Sequence, residues 1–157
     1  MSEATREKVR QRLNRFAEEG PGCTCFNLRK AARAVTKIYD QGMRQSGIRV
    51  TQLSMLMATM RLGPVTVTRL AKATVTDRTT LTRNLRLLEK QGLIRLTEGS
   101  DRREREVTLT DRGREAVARA YPKWKEAQER VAQNFGQERL HRLLSELRAL
   151  VAASSSG

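Results

Sequence analysis

The chain has 157 residues, enough for one domain with its own apolar core. Its formal net charge of +14, from 31 basic and 17 acidic residues, points to a polyanionic partner and to fast, salt-sensitive association. No run approaches the roughly 18 apolar residues of a membrane span, Met1 to Glu19 is too charged for a secretory signal, and two cysteines do not make a disulfide framework. A cytoplasmic protein with no membrane partner is expected.

The first 22 residues place Val9, Leu13 and Phe16 among Arg6, Lys8, Arg10, Arg12 and Arg15 before Gly20-Pro21-Gly22 ends the pattern. This is an N-terminal arm or short helix. A solvated arm and a packing element for a partner subunit fit it equally.

Cys23-Thr24-Cys25 opens a helix expected from about residue 24 to 46, with apolar positions Phe26, Leu28, Ala31, Ala32, Val35, Ile38 and Met43; Gly47 stops it. A helix N-terminus favours a thiolate, and Arg29, one turn beyond Cys25, acts in the same direction. Cys25 is therefore a candidate reactive thiol, with Cys23 as a second thiol that can resolve a sulfenate. A ring closed across one intervening residue is strained, so an intersubunit bond is the easier form. The bland reading, that both cysteines are small buried hydrophobes, carries equal weight. A thiol-ligated metal sensor is a weaker alternative: a closed zinc site needs four ligands, and the single histidine, His141, is far along the chain. No metal and no cofactor are expected.

A second helix, about 51 to 61, is rich in Leu53, Met55, Leu56, Met57 and Met60, which suit a core or an adaptable pocket wall. Arg29, Arg33 and Met57 are candidates to line a small-molecule effector pocket. Gly63-Pro64 precedes a short helix, Val67–Ala73, with Thr66 and Thr68 near its start, where hydroxyls and helix N–H groups meet phosphates.

The next helix is the most informative element. Asp77 stands where an N-terminal cap belongs and Gly92 where a C-terminal one does. Leu81, Leu85 and Leu88 form one buried stripe; at about 100° per residue, Thr79, Thr82, Arg83, Arg86 and Lys90 fall opposite. Guanidinium and hydroxyl groups are the types that read base edges and phosphates in a major groove. Arg78, Thr79, Thr80, Thr82, Arg83 and Arg86 are the candidate DNA contacts, and Arg83 is the best suited to the two acceptors of guanine. Strands are expected at 93–96 and 107–109, joined by an arginine-laden turn, residues 98–105. A lone acid at its tip, Asp101, more plausibly holds an arginine than touches DNA. Helix-turn-helix followed by a basic hairpin is a winged helix.

Two helices follow, about 111 to 135 with Pro122 inside, and a last one with Leu140, Leu143, Leu144, Leu147, Leu150 and Val151 at spacings of three and four. Such a stripe is most easily buried against another subunit. Residues 152–157 are expected to be a disordered tail. The fold class is thus mainly α with a small β-hairpin wing: a winged helix-turn-helix lobe over 51–110 and a helical lobe from 23–46 and 111–152, in a single domain.

Leu81-Thr82-Arg83-Asn84-Leu85, Leu88 through Ile94, Asp101-Arg102-Arg103, Leu109 through Gly113 and Gly47 through Leu53 together resemble the MarR family of bacterial transcription regulators. The resemblance runs from about Cys23 to Val151. It implies a homodimer built by the N- and C-terminal helices, double-stranded DNA with a pseudo-palindromic operator as partner, and Arg103 or Arg102 in the minor groove beside a structural Asp101. Cys25-Phe26 through Tyr39 further resembles the organic-peroxide-sensing branch, in which Cys25 matches the sensing cysteine and Tyr39 a tyrosine that holds it. Arg29 and Val50 depart from that branch, which has tyrosines there. A repressor released by oxidant or by a small-molecule effector follows. The alternatives are an effector-independent architectural DNA-binding protein and, far behind, an enzyme, for which Cys25 has no base at a supporting spacing.

Overall fold

A computed structural model describes residues 2–99 and 104–154, in two compact units, Met1–Lys37 and Ile38–Gly157. The first unit holds α1 (Glu3–Glu19), a 3-10 turn (Gly20–Gly22) and most of α2 (Thr24–Gly42). The Ser2 hydroxyl oxygen accepts the Thr5 N–H and starts α1. No residue of α1 is buried, and Val9, Leu13 and Phe16 are exposed, as are Phe26, Leu28 and Val35 of α2. The segment called an arm or short helix is therefore a full helix with an uncovered apolar face.

The second unit begins where α2 becomes buried. Tyr39 and Met43 enter the core, and Gly42 packs on Ala127, whose Cβ lies 3.3 Å from where a side chain would start. Gly47, at φ 78°, ends the following 3-10 turn (Arg44–Ser46) in a left-handed conformation. Asp40 then reaches forward to accept the Val50 N–H at 2.9 Å, so α2 helps cap α3 (Val50–Leu62). The core gathers Leu53 and Leu56 of α3, Leu70 of α4 (Val67–Thr74), Leu81, Leu85 and Leu88 of α5 (Arg78–Lys90), and Ala116 and Ala120 of α6 (Asp111–Phe135).

Three antiparallel strands sit beside these helices in the order β1-β3-β2: β1 (Val65–Thr66), β2 (Ile94–Glu98) and β3 (Arg105–Leu109). Val65 and Leu96 both lie opposite Val107, on the face that turns to the core. The hairpin strands are longer than the expected 93–96 and 107–109. The two-residue β1 was missed, because so short a strand carries no alternation to read.

A knot of backbone bonds ties α5 to α6. Gly92, at φ 70°, turns the chain after α5, and the Leu93 N–H bonds back to the Leu88 carbonyl. The Thr110 hydroxyl donates to the Gly92 carbonyl at 2.6 Å and accepts the Gly113 N–H at 3.0 Å, while the Thr110 N–H donates to the Leu93 carbonyl. A Cβ on Gly113 would run into that same Leu93 oxygen. Finally α7 (Gln137–Ser154) continues to Ser154, so residues 152–154, expected in a disordered tail, are helical. Leu140 is buried and Leu143, Leu144 and Leu150 are exposed.

Candidate nucleic-acid interface

The helix-turn-helix is built by short-range bonds. Thr66 caps α4, its hydroxyl oxygen accepting the Arg69 N–H at 3.2 Å. This leaves the hydroxyl hydrogen able to donate outward. Thr68 is exposed beside it. The turn to α5 is closed by the Val75 N–H on Lys72 and the Thr76 N–H on Ala71, with Val75 itself at φ 49°. A β-branched residue in the left-handed region is unusual, and this one is 68% exposed.

Asp77 caps α5 as expected, accepting the Thr80 N–H at 2.8 Å. Hydrogen bonding from Thr80, side chain first and backbone second, holds this carboxyl below the ordinary aspartate value. With Leu81, Leu85 and Leu88 buried, Arg78, Thr79, Thr82, Arg83 and Arg86 line one open concavity on the outer side. Thr82 gives its hydroxyl hydrogen to the Arg78 carbonyl at 2.7 Å, so towards a ligand it presents acceptor lone pairs and a methyl group. Thr80 is half-buried and absent from this concavity. Lys90 and Leu87 are exposed at the far end of the same helix.

A second groove, of about 210 Å³, runs between α5 and the hairpin, walled by Arg78, Arg86, Glu89, Leu96, Glu104 and Arg105. Glu89 accepts the Leu96 N–H at 3.1 Å, and Arg105 donates to the Leu96 carbonyl at 3.3 Å. Sequence reasoning gave Glu89 and Arg105 no role of their own; their signals were a place in the family run Leu88 through Ile94 and in the arginine-laden turn, residues 98–105. The described part of the hairpin closes with the Gly99 N–H on the Glu104 carbonyl. Asp101, Arg102 and Arg103 lie outside the described residues.

Cys23 and Cys25 are free and exposed in the first unit, so the reading of both as small buried hydrophobes does not hold for this chain. Cys23 precedes α2 and its carbonyl accepts from the Asn27 side chain; Cys25 stands in the helix's first turn, and Arg29 is exposed one turn on. Tyr39 belongs to the second unit. It is buried, its hydroxyl donates to the Gln128 side-chain oxygen, and burial pushes its pKa up. Met57 lines an apolar cavity of about 200 Å³ with Leu53, Ser54, Val117, Tyr121 and Trp124, the last two rings stacked at 6.0 Å. Arg29 and Arg33 are exposed residues of the first unit. Among the described residues no His, Cys, Asp and Glu cluster suits a metal ion, and no helix is long and apolar enough to cross a membrane.

Known proteins share this fold. The MarR family model matches residues 46–104, from the turn before α3 into the hairpin. The transcriptional regulator MosR of M. tuberculosis, solved in complex with DNA, is 35% identical; the match covers 84% of this chain and 98% of that one, with a TM-score of 0.74. The transcriptional repressor CouR, bound to a 23-mer DNA duplex, is 25% identical over 85% of this chain and 95% of that one, with a TM-score of 0.75. An uncharacterized HTH-type transcriptional regulator of Bacillus subtilis strain 168, YwoH, is 28% identical over 83 residues, 53% of this chain, so the match spans 61% of that curated relative's length.

Proposed function

The chain belongs to the MarR family of DNA-binding transcription regulators, and from that membership we propose that it is a cytoplasmic homodimeric repressor whose grip on a pseudo-palindromic operator is released by oxidation of Cys25. The observation that carries the DNA-binding half is the outer face of α5, where Arg78, Thr79, Thr82, Arg83 and Arg86 share one open concavity. A two-fold dimer offers two such faces to successive major grooves, and the operator inherits that symmetry. Arg83 reads guanine with its guanidinium fork. Thr80 serves the cap of α5 with Asp77 and contacts DNA from the helix flank, while Thr66 and Thr68 donate to phosphates at the start of α4. Arg102 and Arg103 enter the minor groove, whose negative potential attracts guanidinium, with Asp101 holding one of them.

The switch half rests on the exposure of both thiols. A hydroperoxide gives one oxygen to the Cys25 thiolate and leaves as the alcohol after taking up a proton. The sulfenic acid that results is attacked by a second thiol, Cys23 of either subunit, with loss of water to form a disulfide. Release of DNA then requires that the oxidised dimer favour a different spacing of its two α5 helices.

Gel-shift binding to DNA upstream of the protein's own gene, at one fixed salt concentration, tests both halves. Reduced wild type should bind, a slight excess of organic hydroperoxide should release it, and Cys25→Ser should bind and ignore the peroxide. Tight binding that peroxide does not touch in wild type removes the thiol switch. The cavity lined by Met57, Tyr121 and Trp124 favours one second reading in that event, release by a small aromatic effector.

A further inference from the structure

The groove between α5 and the wing contains a contact that the recognition of DNA by α5 alone does not use. β2 is one of the two edge strands of the sheet, so only one of its sides is paired, by β3. At Leu96 the open side is filled by side chains: the Glu89 carboxylate accepts its N–H at 3.1 Å and Arg105 donates to its carbonyl at 3.3 Å. An unpaired strand edge presents free N–H and C=O groups, which proteins blunt with charged side chains or cover with another element. Here the groups that fill it come from the recognition helix and from the opposite strand of the hairpin. Glu89 is also a carboxylate on a helix whose neighbouring groove-lining groups include Arg78 and Arg86. A negative charge close to a DNA-binding surface weakens attraction to phosphate. Glu104 brings a second carboxylate to the groove, and what Glu89 adds is its bond to the Leu96 N–H, a positioning task.

We propose that Glu89 is a positioning residue for DNA binding: through the Leu96 N–H it latches the wing to the recognition helix and fixes the distance between the part that enters the major groove and the part that enters the minor groove. The latch acts at the point where two separate contacts must fall on one duplex in register, and a misplacement of about 1 Å in a supporting shell is enough to lose such a fit. Arg105 holds the other backbone group of the same residue and keeps β2 from rotating about that bond. The proposal rests on the major-groove and minor-groove assignment made above.

The chemistry separates a latch from a bare charge. Glu89→Gln keeps an oxygen acceptor for the Leu96 N–H and loses the charge, whereas Glu89→Ala loses both. Affinity would be measured by fluorescence anisotropy on a duplex enriched from a random pool by the wild-type protein. Contacts would be mapped by dimethyl sulfate at guanine N7 in the major groove and by hydroxyl radicals along the minor groove. The latch predicts that Glu89→Gln binds within about twofold of wild type and that Glu89→Ala binds about tenfold more weakly. It further predicts that Glu89→Ala keeps guanine N7 protection and loses minor-groove protection, and that both variants melt with the wild type. Equal or tighter binding by Glu89→Ala makes Glu89 a repulsive charge and overturns the latch. So does an equal loss of both kinds of protection, which marks a general loss of structure. Absence of guanine N7 protection in the wild type itself is a different failure, that of the groove assignment.

Discussion

Arg83 and Asp77 serve one helix in different ways: Arg83 stands on the outer face of α5, and Asp77 caps its N-terminus. Arg83→Ala should weaken binding to the selected duplex by about 1–3 kcal/mol, roughly 5- to 150-fold, and relax preference at one base pair while the melting temperature stays put. Competition against duplexes altered one base pair at a time reads the lost preference directly. Asp77 acts through its hydrogen bonds from Thr80, which hold its carboxyl below the ordinary aspartate value. A depressed folded-state value means the stabilisation is present above the ordinary value and is lost as pH falls through the lower one. Melting temperature should therefore fall more steeply below about pH 4 in wild type than in Asp77→Asn, which keeps an acceptor and cannot titrate. Parallel curves for the two proteins would remove Asp77 from the acid response. Val75 is strained and does little packing: a left-handed conformation costs a non-glycine residue roughly 1–2 kcal/mol, against roughly 0.5–1 kcal/mol for the extra freedom of glycine. Val75→Gly should then gain about 0.5–1 kcal/mol in urea unfolding, and a loss instead would show that the exposed isopropyl group makes contacts worth more than its strain.

Among the elements, the knot between α5 and α6 shows why a local motif can be legible while its reason is not. Leu109-Thr110-Asp111-Arg112-Gly113 is recognisable in the sequence as a family signature, yet a glycine in the first turn of a helix reads there only as a weak helix former. Its cause is the Leu93 carbonyl pressed against it, 20 residues back along the chain, and a contact of that kind leaves no periodic trace. On helix propensity alone Gly113→Ala would gain roughly 1 kcal/mol. The clash with backbone, which cannot swing aside as a side chain can, should reverse the sign and cost about 3 kcal/mol in urea denaturation. The same division between local and long-range causes runs through the chain. The stripes of Leu81, Leu85 and Leu88 and of Leu140 to Leu150, the Asp77 cap and the Gly92 stop are local, and they place α5 and α7 within a few residues. By contrast α2 ends at Gly42, short of the expected 46, and Gly47 ends the 3-10 turn that follows. β1, the filling of the Leu96 edge by Glu89 and Arg105, and the separation of Thr80 from the α5 concavity depend on what the rest of the fold brings near. None of these three announces itself in composition or spacing.

At the scale of the molecule, apolar surface is left over. All 17 residues of α1 lack burial, and a helix of that length has little stability by itself in water. On α7, Leu143 and Leu144 are 41% and 40% exposed, in line with the buried Leu140. Surface of this kind is what an isologous helical interface would cover. A dimer held this way links stability to concentration, so the wild-type melting temperature should rise with protein concentration. Leu143→Glu with Leu144→Glu places two carboxylates on the same stripe, remote in sequence from every candidate DNA contact. The double variant should sediment as a monomer by analytical ultracentrifugation. Its two half-site contacts would no longer be joined, and binding to the palindromic duplex should weaken by about a hundredfold or more. The dependence of log affinity on log salt should fall to about half, since each phosphate neutralised contributes about 0.9 to the slope and a monomer reaches half as many. The salt slope is the telling measurement, because loss of fold abolishes binding at every salt concentration and loss of dimerisation halves the slope. A double variant that remains dimeric, with the wild-type slope, would move the interface off α7.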